Sequence, residues 1–238
     1  MLENVRINKY IANAGVCSRR DADKLVDSGK VTVNGKIATC GMAVTDKDTV
    51  CVNGKVIKAK DDKVVLAFYK PVGITCTERD KFAEKTILEY VKYPVRVTYA
   101  GRLDKDSEGL ILLTNDGDLI QALMKGGNYH EKEYVVKVDK EITPSFLDKM
   151  ASGVYLKELD RTTRPCHIEK VGKFTFKIIL TQGLNRQIRR MSKELGYNVV
   201  SLKRIRIEKI TIDGLKIGQY RELTEKEKEN LYETVGLK

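Results

Sequence analysis

The sequence predicts an α+β protein: a small N-terminal αα-β unit, then a larger domain built on a mixed, largely antiparallel sheet. Three observations predict it. Two short amphipathic segments precede two Asn-Gly turns within the first sixty residues. The stretch 58–63, KAKDDK, is polar and aperiodic and reads as a linker, dividing the chain into domains at 1–60 and 61–238. Beyond it, short apolar strands and helical patterns follow one another without the regular βαβ rhythm of a parallel sheet.

In the first unit, Asn4 is placed to cap a helix whose apolar positions are Ile7, Tyr10, Ile11 and Ala14, the i, i+3, i+4, i+7 stripe of one buried face. Gly15 supplies a left-handed stop. Arg6, Lys9 and Asn13 fall on the other side. Ser18 opens a second helix, with Asp21 three residues on as a capping partner. Ala22, Leu25 and Val26 form its buried side, Arg19, Arg20 and Lys24 stay outside, and Gly29 ends it. The phrase Val31-Thr32-Val33-Asn34-Gly35-Lys36-Ile37 returns as Val50-Cys51-Val52-Asn53-Gly54-Lys55-Val56. Alternating residues around Asn-Gly mark a hairpin, because a type I′ turn needs two positive φ angles.

In the larger domain, 64–69 is a short apolar run consistent with a buried strand, stopped by Lys70-Pro71-Val72-Gly73. A second buried strand is expected at 109–114, after which Asp118 is placed to cap a short helix through Met124. Strands recur at 133–138 and 174–180. A helix is expected over 185–195, with Ile188, Met191 and Leu195 as its apolar stripe and Gly196 as its stop. Arg186, Arg189, Arg190 and Lys193 project from the opposite half, and Lys203, Arg204 and Arg206 extend the basic surface.

Composition narrows the function. The 238 residues carry a net charge of +11, which points to a polyanionic partner, with nucleic acid ahead of an anionic membrane. The opening MLENVRINKY does not read as a secretion signal, and no apolar run approaches the ~20 residues of a membrane helix. No membrane role and a cytoplasmic location are therefore expected. Five cysteines without a C-x-x-C pair argue for reduced thiols, and two histidines, His130 and His167, do not make a zinc site. There is no G-x-x-x-x-G-K-[ST] and no G-x-G-x-x-G, which weakens a free-nucleotide enzyme.

Residues 10–20, YIANAGVCSRR, followed by 29–35, GKVTVNG, resemble the S4 RNA-binding domain over about residues 3–57. The phrase GRLDKDSEGLILLTNDGDL at 101–119, with YKPVGIT upstream and LNRQIRRM downstream, resembles the RsuA-type pseudouridine synthases, the ribosomal RNA enzymes RsuA, RluB, RluE and RluF. The stretch 127–134, GNYHEKEY, leans toward the RluF branch. The resemblance implies a synthase domain behind an RNA-gripping module, acting on ribosomal RNA of the large subunit, with tRNA as a second substrate in some members. It also implies catalytic roles for Asp104, Tyr134 and Arg189. By that resemblance Asp104 is expected to be the catalytic carboxylate and Tyr134 to stack on the target uracil, its hydroxyl placed to shuttle a proton. The resemblance assigns an arginine of Gln187-Ile188-Arg189, taken as Arg189, to a buried salt bridge with Asp104. Arg102 either fills the stack left by a flipped nucleotide or contacts phosphate. Arg6, Lys9, Arg19, Arg20, Lys24, Arg186 and Arg190 are the further expected RNA contacts.

Pseudouridine formation breaks the ribose C1′–N1 bond and remakes it to C5. A carboxylate serves by attacking C1′ or by removing a ribose proton to give a glycal, and neither route needs a metal or an organic cofactor. A glycosidase-like pair of carboxylates does not suit this scheme, because isomerisation keeps the base and needs no activated water. Asp106 and Glu108 are therefore expected to structure the loop or face solvent, and the two histidines to be structural or to contact RNA. A non-catalytic RNA-binding or assembly factor is the alternative, and a monomer is the default.

Overall fold

The computed structural model describes residues 4–58, 62–77 and 86–237. The linker expected at 58–63 lies partly outside them. The chain divides into two compact units. One holds the N-terminal residues to Val64 with the short pieces Tyr93–Val97 and Asn115–Gly117, and the other holds the rest.

In the first unit, β1 (Val5–Arg6) leads directly into α1 (Ile7–Asn13), and α2 (Arg19–Asp27) follows. Asn4 does not cap α1. Val5 and Arg6 pair with β4 (Ala43–Val44), so extended backbone continues to Arg6, which takes the cap position without a side-chain bond. Ser18 does cap α2, accepting from the Asp21 N–H at 3.2 Å while its hydroxyl donates to Asp21 Oδ2 at 2.9 Å. Strands β2 (Val31–Val33), β3 (Lys36–Ile37), β5 (Val50–Val52) and β6 (Lys55–Ile57) form one sheet in the order β3-β2-β5-β6. Both turns have the two positive φ angles expected: 50° and 80° at Asn34-Gly35, 50° and 76° at Asn53-Gly54. Ile7, Ile11, Ala22, Val26, Val31 and Val50 fill the core beneath the helices.

The second unit is built on a mixed sheet. Its elements are β7 (Val65–Lys70), α3 (Ile87–Tyr90), β8 (Thr98–Ala100), β9 (Glu108–Thr114), α4 (Gly117–Met124) and β10 (Lys132–Val138). They continue with α5 (Pro144–Ser152), a small β11–β12 pair (Tyr155–Leu156, Arg161–Thr162), β13 (His167–Gly172) and β14 (Thr175–Leu180). The chain closes with α6 (Gln187–Glu194), β15 (Val199–Ile207), β16 (Ile210–Thr211), β17 (Tyr220–Glu222) and α7 (Glu225–Thr234). The sheet runs β13-β14-β10-β15-β9-β7-β17, antiparallel throughout except for the parallel pair β15–β9, with β8 on β9 and β16 on β15. The α4 helix begins one residue before Asp118, which sits in its first turn, where a carboxylate faces the positive helix end. One core packs Val65, Ala67, Leu110, Leu112 and Leu119 under α4 and α7; another packs Val136, Phe146, Phe176, Ile178 and Met191 under α5 and α6. No helix among the described residues is long and apolar enough to cross a membrane.

A row of residues crosses the sheet in register: Ile178, Tyr134, Arg204, Gly109 and Lys70. At its centre β9 and β15 press together. A Cβ on Gly109 would lie 2.2 Å from the carbonyl oxygen of Arg204, and the Gly109 φ is 118°. Both the space and the backbone angle demand glycine here. Gly109→Ala is expected to destabilise the protein by about 2–5 kcal/mol, adding strain to overpacking. Urea unfolding checks this, and an unchanged midpoint would show that the two strands do not approach so closely.

Candidate active site

The loop 101–107 reaches β9 from one side of the sheet. Gly101, at φ 86°, makes the turn, and the Ser107 N–H bonds back to the Asp104 carbonyl at 3.1 Å. Two buried cations hold this loop from beneath. Lys70, fully buried at the end of β7, donates to Ser107 O at 2.7 Å and Pro71 O at 2.9 Å. Burial pushes the Lys70 ammonium below its ordinary range, while the nearby Asp104 and Asp106 resist that shift. Arg204, 2% exposed, donates through Nε to Leu110 O at 2.7 Å and through Nη1 to Arg102 O at 3.5 Å. Its Nη2 is buried and has no hydrogen-bond partner among the described residues.

Above this support lies a cleft of about 400 Å³. Asp104, Tyr134 and Arg189 all line it, together with Arg102, Arg186 and Lys132. The three residues expected to be catalytic therefore meet. The pairing within them differs from the expectation. Arg186, not Arg189, faces Asp104, with Nη1 3.3 Å from Oδ2. The same guanidinium clasps Asp106 through two bonds of 3.2 and 2.9 Å. That clasp holds the Asp106 carboxyl below the usual carboxylate range and raises Arg186 in turn. Arg189 instead grips the loop and Val199: Nη2 donates to Asp106 O at 2.9 Å and Ser107 Oγ at 3.2 Å, and Nη1 donates to Val199 O at 3.2 Å. Burial lowers its pKa, with Asp106 opposing.

The reason is local. The expectation treated Arg186 as a residue of the helix surface. The helix starts at Gln187, and Arg186 is its cap with φ 50°. A left-handed cap turns that side chain across the helix mouth toward the loop, out of the arc that helical angles assign. It also leaves the salt bridge half exposed instead of buried, the side chains of Arg186 and Asp104 being 41% and 36% accessible.

The other expected sites separate. Arg102 is exposed at the cleft, and Tyr134 is half-buried on β10 beside a register shift in its pairing with β15. Bulged pairing of this kind re-aims side chains near sites. Arg190 is engaged by Glu158 and by Asn185, with Nε donating to the Asn185 carbonyl at 2.9 Å, so it is less open to phosphate than expected. In the first unit Arg6, Arg19, Arg20 and Lys24 are exposed and Lys9 is half-buried; Lys24 pairs with Asp21 at 3.2 Å. The expected basic extension along 203–206 is corrected. Arg204 is core, Arg206 pairs with Glu131 and Glu133 at 3.0 and 2.7 Å, and the Lys203 ammonium sits 4.8 Å from the Tyr69 ring centroid. His130 is buried against Glu208 at 2.9 Å.

Sequence reasoning missed Asp106 as the anchor of both arginines, and it missed Lys132 and Arg204 as cleft cations. The signal available for Lys132 was its place two residues before Tyr134 on one strand, hence on the same face. Replacing Arg186 with Met is expected to return the Asp106 carboxyl upward toward its ordinary range. Carboxyl-carbon NMR titration reads this directly, and an unmoved Asp106 would mean that the clasp does not form in solution.

The family model described as RNA pseudouridylate synthase matches residues 64–194, and the S4 domain model matches residues 5–50. The dual-specificity RNA pseudouridine synthase RluF of Escherichia coli (strain K12) is 46% identical over 234 residues, covering 98% of this chain and 80% of that one. The ribosomal large subunit pseudouridine synthase B of Bacillus subtilis (strain 168) is 37% identical over 233 residues, covering 95% of each. A crystal structure of a pseudouridylate synthase superposes with a TM-score of 0.70 at 28% identity, over 95% of this chain and 99% of that one. With a cleft built around an aspartate, a tyrosine and two arginines, and with these matches across both units, the chain belongs to the RNA pseudouridine synthase family, with an S4 domain ahead of the synthase domain.

Proposed function

We infer that this pseudouridine synthase isomerises a specific uridine in structured ribosomal RNA of the large subunit, with Asp104 acting on a uridine flipped out of its stack. The observation that carries the reading is the Asp104 carboxylate, 3.3 Å from Arg186, in a cleft it shares with Tyr134. A flipped base costs a few kcal/mol of unstacking, which contacts in the cleft must offset. Tyr134 offers a ring face to the uracil, and Arg102, exposed at the cleft, is placed to occupy the gap or hold the backbone.

Asp104 then works on the sugar. In one route its oxygen bonds to C1′ as the C1′–N1 bond breaks; in the other it takes the C2′ proton and a C1′=C2′ double bond forms. Arg186 orients the carboxylate and Arg189 holds the loop beneath it, so Arg189 is a positioning residue. The division of labour follows the chain. Residues 1–60 anchor RNA through Arg6, Lys9, Arg19, Arg20 and Lys24, and residues 61–238 carry the chemistry, with Arg186 beside the site and Arg190, held by Glu158 and Asn185, contributing less. No cofactor is required, a monomer suffices, the cytoplasm is the expected setting, and tRNA is the second RNA to test.

Tritium release from RNA labelled at uridine C5 tests the reading. Wild type should release tritium, and Asp104→Asn should fall by on the order of a thousandfold or more while still binding RNA. Equal release by the two proteins would remove Asp104 from the reaction.

A further inference from the structure

Among the described residues six cations line the cleft, Arg102, Lys105, Lys132, Arg186, Arg189 and Arg204, against the single carboxylate of Asp104. Arg186 and Arg189 are answered by Asp106 at 2.9 and 3.3 Å. Arg102 and Lys105 are exposed, where RNA phosphates can reach them. That leaves Lys132 and Arg204 on the walls of the cleft, half-buried and 2% exposed. Lys132 stands two residues from Tyr134 on β10, and Arg204 is the cross-strand partner of Tyr134 on β15. The two cations thus flank the tyrosine in sequence and across the sheet. Nζ of Lys132 donates to the His130 carbonyl at 3.1 Å, and Nη2 of Arg204 is buried without a partner among the described residues. Buried positive charge with donors to spare fits an anion formed inside the site.

We propose that Lys132, backed by Arg204, is a further catalytic residue that stabilises the uracil anion released when the C1′–N1 bond breaks. The inference rests on the function proposed above. In either route that bond breaks with its electron pair going to uracil, whose negative charge spreads over N1, O2 and O4. Carbon C1′ is satisfied by the new bond to Asp104 oxygen, or by the C2′–H pair becoming C1′=C2′ while Asp104 holds the proton. The Lys132 ammonium donates a hydrogen bond to a carbonyl oxygen of this anion and keeps its own proton. The base then turns and its C5 bonds to C1′, which in the covalent route breaks the Asp104 oxygen–C1′ bond and returns that electron pair to the carboxylate; the C5 proton leaves and N1 gains one. In the glycal route Asp104 returns its proton to C2′. Donors aimed at charge that develops during reaction, inside a site shielded from water, are among the strongest catalytic devices.

The charged form of Lys132 is the working one. Burial and the neighbouring Arg204 bring its pKa down to about 8, with Glu208 opposing. Among the described residues the other charged groups on this cleft are Asp104, Arg102, Lys105, Arg186 and Arg189. Losing the Lys132 proton as pH rises removes the donor, so kcat/KM, which reports the free enzyme, should fall through about pH 8.

The test compares wild type, Lys132→Met and Lys132→Arg on RNA carrying uridine or 5-fluorouridine at the target, in single turnover. Fluorine makes the base a better leaving group, so its anion needs less help. Lys132→Met should lose about a hundredfold or more in the single-turnover rate constant on uridine with RNA affinity little changed, and clearly less on 5-fluorouridine. Lys132→Arg should recover part of the rate and move the alkaline fall to higher pH. Equal losses on both bases, or an alkaline fall that stays near 8 in Lys132→Arg, would overturn the proposal. If Lys132→Met does not fold, the pH profile of Lys132→Arg decides alone. Activity retained by Lys132→Met but lost by Asp104→Asn would sink this inference and leave the function standing. Wild type inactive on every RNA would sink both.

Discussion

The close passage of β9 against β15 at Gly109 and Arg204 sets up the site. These two strands run parallel within a sheet that is otherwise antiparallel, and a methyl group at Gly109 would strike the Arg204 backbone. Because nothing separates them, the loop 101–107 enters β9 directly beside the strand that carries Arg204, and Tyr134 follows on the next strand across. Three chain-distant segments are therefore brought together by backbone register, before any side chain interacts.

The buried cations follow from that register. Lys70 and Arg204 lie in the same cross-sheet row; Lys70 donates to backbone carbonyls at the loop, and Arg204 spends Nε and Nη1 on the carbonyls of Leu110 and Arg102, leaving Nη2 without a partner among the described residues. Burying a charge is costly unless it is hydrogen-bonded, and carbonyl oxygens with the nearby Asp104 and Asp106 supply the compensation at Lys70. The loop is thus pinned from below by cations and from the side by Arg189. Arg186 is left to manage two carboxylates. Asp106 takes the bidentate clasp, which fixes the guanidinium plane and presents one edge to Asp104.

What could be read from the sequence was whatever local chemistry dictates. The two Asn-Gly turns, the Ser18 cap and the Gly196 stop need no tertiary partner, and all appear where the residues demand them. The α+β class followed from strand and helix order. The strand at the N-terminus was hidden because Val5 and Arg6 are held extended by residues 43–44, a long-range pairing that overrides a plausible helix cap. In the site, residue types were legible and their pairing was not. Counting helical angles from 185 put Arg186 on a solvated face, whereas one positive φ at the helix mouth redirects it. Arg204 read as surface because a lone arginine in a basic stretch usually is, and only the sheet register makes it core.

The proposed chemistry turns on the carboxylate of Asp104, steadied by Arg186, as the group that meets the sugar. The most direct measurement is a structure of the protein bound to RNA with 5-fluorouridine at the target position. An Asp104 oxygen is expected within bonding distance of C1′, or about 3–3.5 Å from the sugar carbon that reacts, with Arg186 still on that carboxylate. A sugar lying instead against Asp106, or a uridine left stacked in its helix with Asp104 facing solvent, would contradict it.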